Sequence, residues 1–288
     1  NDREVSVACI GIGGENLVRF ASIENGFYGA WGRTGLGAVM GSKNLKAVVV
    51  KGSQDVRVAK KDEFWEAVTD MRRKIENHPT FKPWSKYGSM VAVDVNFNIG
   101  AVTGYDQSIL VGDDFINNLG KENLLNFKKR KIACNACPIA CSPWVEINEG
   151  KYSGLKIKGV EITSTMDFGA RLGFRNLPAI AKATEYFQKL GIDCSTCAAS
   201  IGLAIKLFEE KIIDKSDTEG LWLKWGDEDL VFELMHKIAY REGFGDLLAE
   251  GPIRFAKKIG KDAEEYLTQT RGLDTNIRDL RARWDVWK

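Results

Sequence analysis

Cys134, Cys137 and Cys141 fall within the eleven residues Lys131 to Cys141, K-I-A-C-N-A-C-P-I-A-C. Three thiols at C-x2-C-x3-C spacing suit three corners of a cubane iron-sulfur cluster, because a short loop can wrap a compact polynuclear centre and present one thiolate to each of three irons. A fourth ligand must then come from elsewhere. Pro138 cannot donate an amide and fixes its own φ, which predicts a helical turn carrying Cys141. Free cysteines are often ordinary buried residues, but three of the six in one short window argue against that here. A mononuclear zinc site would pair this knuckle with a second Cys or His pair. His78 and His236 stand alone and read as surface or packing residues.

A second chemical feature is the stretch Trp31 to Asn44, with glycines at 32, 35, 37 and 41 and with Arg33 and Lys43 among them. Glycines let backbone amides approach an anion closely and a cation supplies charge, so the segment suits a phosphate cradle. The alternative is a glycine-rich turn between packed strands. It is not a P-loop, since Gly37 and Gly41 are too close and Ser42 precedes Lys43. Nor is Gly11-Ile-Gly13-Gly14 a dinucleotide fingerprint: Asn16 takes the third glycine position and no long helix is expected after it.

These residues must be positioned by elements of two kinds. Val5–Ile10 reads as a buried strand ending in a glycine turn, Leu17–Ile23 as more strand than helix, and Ala47–Gly52 as a strand. Lys61–Ile75 has the three-and-four spacing of an amphipathic helix. Residues 80–125, punctuated by glycines, suggest a long covering loop. The basic run Lys128–Lys131 reads either as a solvated helix end or as cations neutralising an anionic cluster. Trp144–Ile147 and Lys156–Lys158 bracket a hairpin. Helices are expected over 177–190 with Gly191 as C-cap, over 197–211 with Asp193 or Ser195 as cap, over 227–240, and over 244–259.

With 288 residues, 44% of them hydrophobic and 28% charged, the chain has the composition of a globular protein with room for two domains. A net charge of +2 with interspersed signs gives no reason to expect nucleic acid, and no apolar run is long enough for a membrane span. The thiols fit a reducing compartment, hence the cytoplasm. The opening N-D-R-E-V-S reads as the interior of a longer polypeptide.

Three landmarks in order resemble the tungsten-containing aldehyde:ferredoxin oxidoreductases: Gly13 to Ile23, Gly32 to Ala47, and the C-x2-C-P-x2-C of Cys134, Cys137 and Cys141. Gly191-Ile-Asp193, Glu242 to Gly251 and Arg271-Gly-Leu273 continue the likeness along the chain. The resemblance implies an α+β fold: the end of a β-rich pterin-binding domain over 1–52, a mainly helical middle domain over 53–262 with the cysteine loop, and the start of a third, helical domain over 263–288. It implies tungsten, less often molybdenum, held by two pterins beside a [4Fe-4S] cluster. Cys134, Cys137 and Cys141 match three cluster ligands, and the motif carrying the fourth is absent from this sequence. Asn16 and the carbonyl of Ala30 match positions near a magnesium ion that bridges the pterin phosphates. Arg33, Gly35, Gly37 and Lys43 would serve those phosphates, and Gln188 and Asp193 fall on the pterin motif D-x-x-G-L-D, with Gln188 replacing its first aspartate. Cys194 and Cys197 read as packing residues.

Glu161 matches the first glutamate of the family's E-Y-E-T stretch, and Thr163 falls where the second, an acid/base residue, is expected. A hydroxyl cannot replace a carboxylate as a proton acceptor at neutral pH. Asp167 lies close by in sequence. The resemblance implies an oxygen-sensitive oxidoreductase that converts an aldehyde to a carboxylate and delivers electrons to ferredoxin or an electron-transfer subunit, as a homo- or hetero-oligomer. The Thr163 departure raises two alternatives. One is the active-site subunit of a tungsten-dependent benzoyl-CoA reductase acting on an aromatic acyl-CoA, and the other is an electron-transfer subunit without the pterin metal.

Overall fold

The computed structural model describes residues 5–26, 29–275 and 279. Four short antiparallel strands open the fold: β1 (Val5–Ile10), β2 (Ile23–Asn25), β3 (Gly29–Trp31) and β4 (Ala47–Lys51), in the order β3-β2-β1-β4. Cys9 lies opposite Glu24 on one side of β1 and opposite Ala47 on the other. Two small helices, α1 (Ile12–Glu15) and α2 (Leu36–Ser42), pack at the Ile10 end of the sheet. The glycine turn expected at 11–14 is therefore α1. The buried strand expected at 5–10 is exposed over much of its length, because α1 and α2 cover only its Ile10 end, and Val48, Val49 and Val50 of β4 are exposed with it. Leu17–Ser22 is irregular and not a strand: Leu17 takes φ 57°, and the chain turns twice before β2.

Arg33 to Ser42 follow β3 as one tight 3-10 turn and then α2, so this glycine-rich stretch is more ordered than a turn between strands. Its glycines allow close backbone packing. Gly35 takes φ 77°, and a Cβ there would lie 2.0 Å from the Arg19 carbonyl oxygen; one on Gly37 would lie 2.3 Å from that of Ser22. Lys43 closes α2 and is exposed.

Helix α3 (Lys61–Glu76) forms as its periodicity predicts but buries no residue. The long covering loop expected at 80–125 is instead a set of short helices, α4 (Phe81–Tyr87), α5 (Val91–Asn98), α6 (Asp113–Leu119) and α7 (Lys121–Leu124), with the small ladder β5 (Thr103–Gly104) and β6 (Ile109–Leu110). Its glycines mark helix ends: Gly88 (φ 64°) ends α4 and Gly120 stands between α6 and α7. The basic run is neither a helix end nor a loop but β7 (Lys128–Ile132), which pairs with β8 (Ser142–Glu146); β8 pairs in turn with β9 (Lys156–Lys158).

A one-turn helix α8 (Ile162–Ser164) runs into a π-helical turn over Thr165–Arg171. The core then forms around α9 (Leu177–Leu190), α10 (Cys194–Glu209) and α11 (Glu228–Tyr240). Thirteen of the sixteen residues of α10 are buried, which makes it the central helix. It begins three residues earlier than the spacing suggests, because Asp193 caps it by accepting from the Thr196 amide at 2.9 Å. The single helix expected over 244–259 is two, α12 (Phe244–Leu248) and α13 (Pro252–Ile259), since Gly251 at φ 84° and Pro252 cannot continue α12. Where a third, helical domain is expected to start at 263, the described residues form a short 3-10 turn (Ala263–Tyr266) and a last ladder, β10 (Gln269–Thr270) and β11 (Leu273–Asp274); residues 276–278 and 280–288 lie outside the described residues. Among the described residues no helix is long and apolar enough to cross a membrane. The whole is an α+β fold.

Gly37 tests the sheet packing. Gly37→Ala is expected to lower stability by about 1–3 kcal/mol, read as a shift in urea midpoint at constant m-value, because the added methyl would run into the backbone carbonyls of Ser22 and Ala21.

Candidate active site

One cavity of about 410 Å³ gathers residues that the sequence keeps far apart. Ala30, Gly32 and Arg33 come from the end of β3, Ser142 and Lys158 from β8 and β9, Glu161, Thr163 and Ser164 from α8, and Gln188, Asp193, Cys194 and Ser195 from the junction of α9 and α10. Six of the residues singled out by sequence thus share one wall: Ala30, Arg33, Glu161, Thr163, Gln188 and Asp193. The junction is held by backbone bonds. Asp193 donates its amide to the Phe20 carbonyl at 2.9 Å, and Ser22 donates to that of Gly191 at 2.9 Å.

Two polar atoms on this wall have no partner. Arg33 anchors Nη2 on Asp274, 2.9 Å from its carbonyl oxygen and 3.2 Å from its carboxylate, while its Nη1 is buried and unsatisfied. Gln188 Oε1 is likewise buried without a partner. Leaving such groups unpaired costs about 1–3 kcal/mol each, so they mark where an anion and a hydrogen-bond donor belong. Glu161 caps α8, accepts a short hydrogen bond from Ser89 Oγ, and is pushed above the usual carboxylate range by burial, against Ser89 and the nearby Lys158. Ser89 Oγ in turn accepts from the Ile162 amide at 3.1 Å, which fixes the hydroxyl.

The cysteine loop adjoins this cavity, since Ser142 follows Cys141 and lines it. The loop is irregular: the Cys137 amide bonds the Cys134 carbonyl at 3.1 Å, and Ala136 and Ala140 take φ 54° and 50°. The helical turn expected from Pro138 to Cys141 is absent, because the left-handed Ala140 breaks it. Cys134 is exposed, and burial, then the Glu161 charge, push the Cys141 thiol up. Among the described residues no group of three or more His, Cys, Asp or Glu side chains converges tightly enough for a single ion. The three thiols share the loop without closing on a point, and as a donor set of three soft ligands they suit a polynuclear centre.

Four of the residues singled out lie outside the cavity. Asn16 Nδ2 donates to the Ala239 carbonyl at 2.9 Å, and its own carbonyl accepts from Arg241 Nε at 2.7 Å, so it ties the N-terminal sheet to α11. Gly35 and Gly37 face backbone and Lys43 faces solvent. Cys194 and Cys197 are buried, and both thiols are held well above their ordinary range by burial.

Asp193 and Ser195 also belong to a buried polar group that extends behind the cavity through Asp167 and Thr196 and takes in Asp106, Arg171 and Asp274, which the sequence did not point to. Thr196 Oγ1 lies 2.8 Å from Asp193 Oδ2 and 2.9 Å from Asp274 Oδ1. A hydroxyl carries one proton, so one of these contacts needs a proton held by a carboxyl. Burial raises Asp106 and Asp193, and brings Asp167 up to about 6 against the opposing pull of Arg171 and Ser195.

The sequence was compared with known proteins. Residues 1–52 match the N-terminal domain of aldehyde ferredoxin oxidoreductase and residues 66–287 match domains 2 and 3 of the same enzymes. The chain belongs to the aldehyde ferredoxin oxidoreductase family. It is similar to the tungsten-containing aldehyde ferredoxin oxidoreductase of Pyrococcus horikoshii, 36% identical over an alignment that covers 90% of this chain and 42% of that protein. It is also similar to the WOR-like subunit of an aliphatic sulfonate oxidoreductase from Pyrococcus furiosus, 30% identical over 99% of this chain and 46% of the relative. Among solved structures, the active site complex BamBC of benzoyl coenzyme A reductase, bound to 1,5 dienoyl-CoA, superimposes with a TM-score of 0.80 at 27% identity, covering 96% of this chain and 43% of that one. The chain thus spans less than half the length of these relatives.

Asp167 sets a pH dependence of stability. Its folded-state value of about 6 lies above the unfolded ~3.9. The folded protein therefore binds this proton more tightly, and the resulting stabilisation is full below about pH 4 and is lost as pH rises through about 6. Asp167→Asn is expected to make the fall in stability between about pH 4 and 7 shallower by roughly 3 kcal/mol, measured from urea midpoints across that range.

Proposed function

We propose that the chain is the pterin- and cluster-bearing part of a cytoplasmic, oxygen-sensitive oxidoreductase that oxidises an aldehyde to its carboxylate and delivers the electrons to ferredoxin or to an electron-transfer subunit. The observation that carries this reading is the cavity where Arg33, Glu161, Gln188 and Asp193 meet beside the Cys141 loop. When bound, a tungsten or molybdenum bis-pterin supplies the two-electron change and a [4Fe-4S] cluster the single-electron exit.

The chain's own residues have distinct parts in this scheme. Arg33 Nη1 offers a pterin phosphate a charge-assisted hydrogen bond, and the grip of Asp274 on Nη2 orients the fork. Gln188 Oε1, buried without a partner, would accept a hydrogen bond from the pterin, with Asp193 on the same cavity as a second acceptor. Ala30 would offer its carbonyl to a magnesium ion serving the phosphates; Asn16, the other position matched to that ion, spends its Nδ2 on Ala239 and its backbone carbonyl on Arg241. Cys134, Cys137 and Cys141 would hold three irons of such a cluster, three soft thiolates on one short loop. Glu161 is placed to hold a proton at the cavity wall, its proton affinity raised by burial. Thr163 can orient a substrate oxygen by hydrogen bonding but cannot remove a proton.

A second reading is favoured by Thr163 and by the likeness to the benzoyl coenzyme A reductase complex: an active-site subunit that drives electrons into an aromatic thioester. Elemental analysis of the purified holoenzyme, with a viologen-linked assay on short-chain and aromatic aldehydes, separates the two. Tungsten or molybdenum together with iron, and viologen reduction by an aldehyde, are expected; bound tungsten with no turnover of any aldehyde would sink the first reading. Cys134→Ser is expected to lower iron content while leaving pterin content largely intact, and Glu161→Gln to lower kcat by on the order of 10²-fold.

A further inference from the structure

Behind the cavity lies a carboxyl to which the scheme above gives no part. Asp167, on the π-helical turn, is fully buried; its Oδ2 accepts from Ser195 Oγ at 2.7 Å and lies 3.7 Å from Cys194 Sγ, while its Oδ1 has no hydrogen-bond partner. Arg171 Nε is 3.8 Å from that Oδ1 and 3.5 Å from Asp106 Oδ1, and the guanidinium spends Nη1 on the Ser195 carbonyl and Nη2 on that of Thr275. The elements packed around Asp167 bring Arg171 from its own turn, Asp106 from the β5–β6 ladder, Asp193, Cys194 and Cys197 from α10 and its cap, and Asp274 from β11. Arg33 pairs with Asp274, and Lys206 faces Asp106. Four carboxyls thus share two guanidinium groups and the Lys206 ammonium, an excess of one negative charge. A buried excess of negative charge is relieved by holding protons, and the shared Thr196 hydroxyl already requires one nearby.

Ser195 lines the cavity on one side and bonds Asp167 on the other. We infer that Ser195 and Asp167 form a proton relay opening on the cavity, with Ser195 touching the reacting group and Asp167 as the positioning residue that stores the proton. A proton released in the cavity adds to a lone pair of Ser195 Oγ while the hydrogen already on Oγ passes to Asp167 Oδ2. Ser195 ends neutral, as it began, and Asp167 changes from carboxylate to carboxylic acid. No electrons move along this path, and reversal returns the proton to water in the cavity. The relay supplies the carboxylate that Thr163 does not. A proton affinity balanced near neutral by burial against Arg171 and Ser195 lets the same group take and give. That oxidation of an aldehyde by water is the source of the proton rests on the function proposed above.

The test uses the holoenzyme and two variants. In infrared difference spectra taken during a pH titration, the wild type is expected to lose a carboxylic-acid carbonyl band as pH rises through about 6, and Asp167→Asn to lack it. Ser195→Ala retains that band, but its shift on transfer to D2O slows by at least about tenfold, since a hydroxyl relay of general acid–base type is worth on the order of 10²-fold or more. In turnover, kcat for aldehyde oxidation should fall with acidification on a limb near 6. Asp167→Asn should lower kcat on the order of 10²-fold and abolish that limb, and Ser195→Ala should lower kcat with little change in KM. Wild-type pH behaviour in Asp167→Asn, or unslowed exchange in Ser195→Ala, overturns the relay. If the wild type turns over no aldehyde, the proposed function fails while the infrared and exchange measurements still decide the relay; if Asp167→Asn does not fold, Ser195→Ala decides it.

Discussion

Gly191 lies against Gly11 so closely that a Cβ on either would sit within 2.7 Å of the other's backbone, and much of the structure follows from that contact. Gly191 takes the left-handed conformation at φ 70° that ends α9. That turn sends the chain straight into Asp193, the cap of α10. With no side chain on either glycine, the loop at 18–22 can reach Gly191, Ile192 and Asp193 through backbone bonds. The N-terminal sheet is thereby seated on the central helix, and Arg33 is delivered to the same wall as Gln188. A methyl group at either position would part the sheet from the helices before it disturbed either one.

The seating also explains why the cavity and the cysteine loop are neighbours. Strand β8 begins directly after Cys141 and its first residue, Ser142, lines the cavity, and Gly88 at φ 64° leaves room for the Cys141 carbonyl, with a would-be Cβ only 2.3 Å from it. Ser142 belongs to both features. Glu161 feels both as well, through its hydrogen bond from Ser89 and through the effect of its charge on Cys141. A group held in the cavity and a group held by the loop would be separated by little more than this one strand end.

Local pattern carried the sequence reading where the determinants are local. The spacing in Lys61–Ile75, the Gly191 stop, the helix over 227–240 and the hairpin of β8 and β9 were all legible, because each is decided within a few turns or a strand pair. The short helices between 80 and 125 were not, since a glycine that ends a helix and a glycine in a loop look alike until the packing is known. The shallow burial of β1 was also hidden, because Val5–Ile10 shows hydrophobicity but not what covers it. Of the residues lining the cavity, Arg33, Glu161, Gln188 and Asp193 could be singled out by resemblance. Asp274 and the bond between Asp167 and Ser195 could not, because no spacing rule links positions 28 or 241 residues apart.

The grip of Asp274 on Arg33 spans 241 residues, nearly the whole chain. Closing so long a loop costs only about 0.6 kcal/mol more than closing one half its length, so distance alone is no obstacle to stability. Its consequence is one of order: contacts of high sequence separation form after the local ones that bring their partners near. The guanidinium acquires its orientation from the folded body and not from β3. Until β11 has docked against α10, Arg33 stands without the carboxylate that aims it, so the orientation of this guanidinium is among the later features of the fold to form.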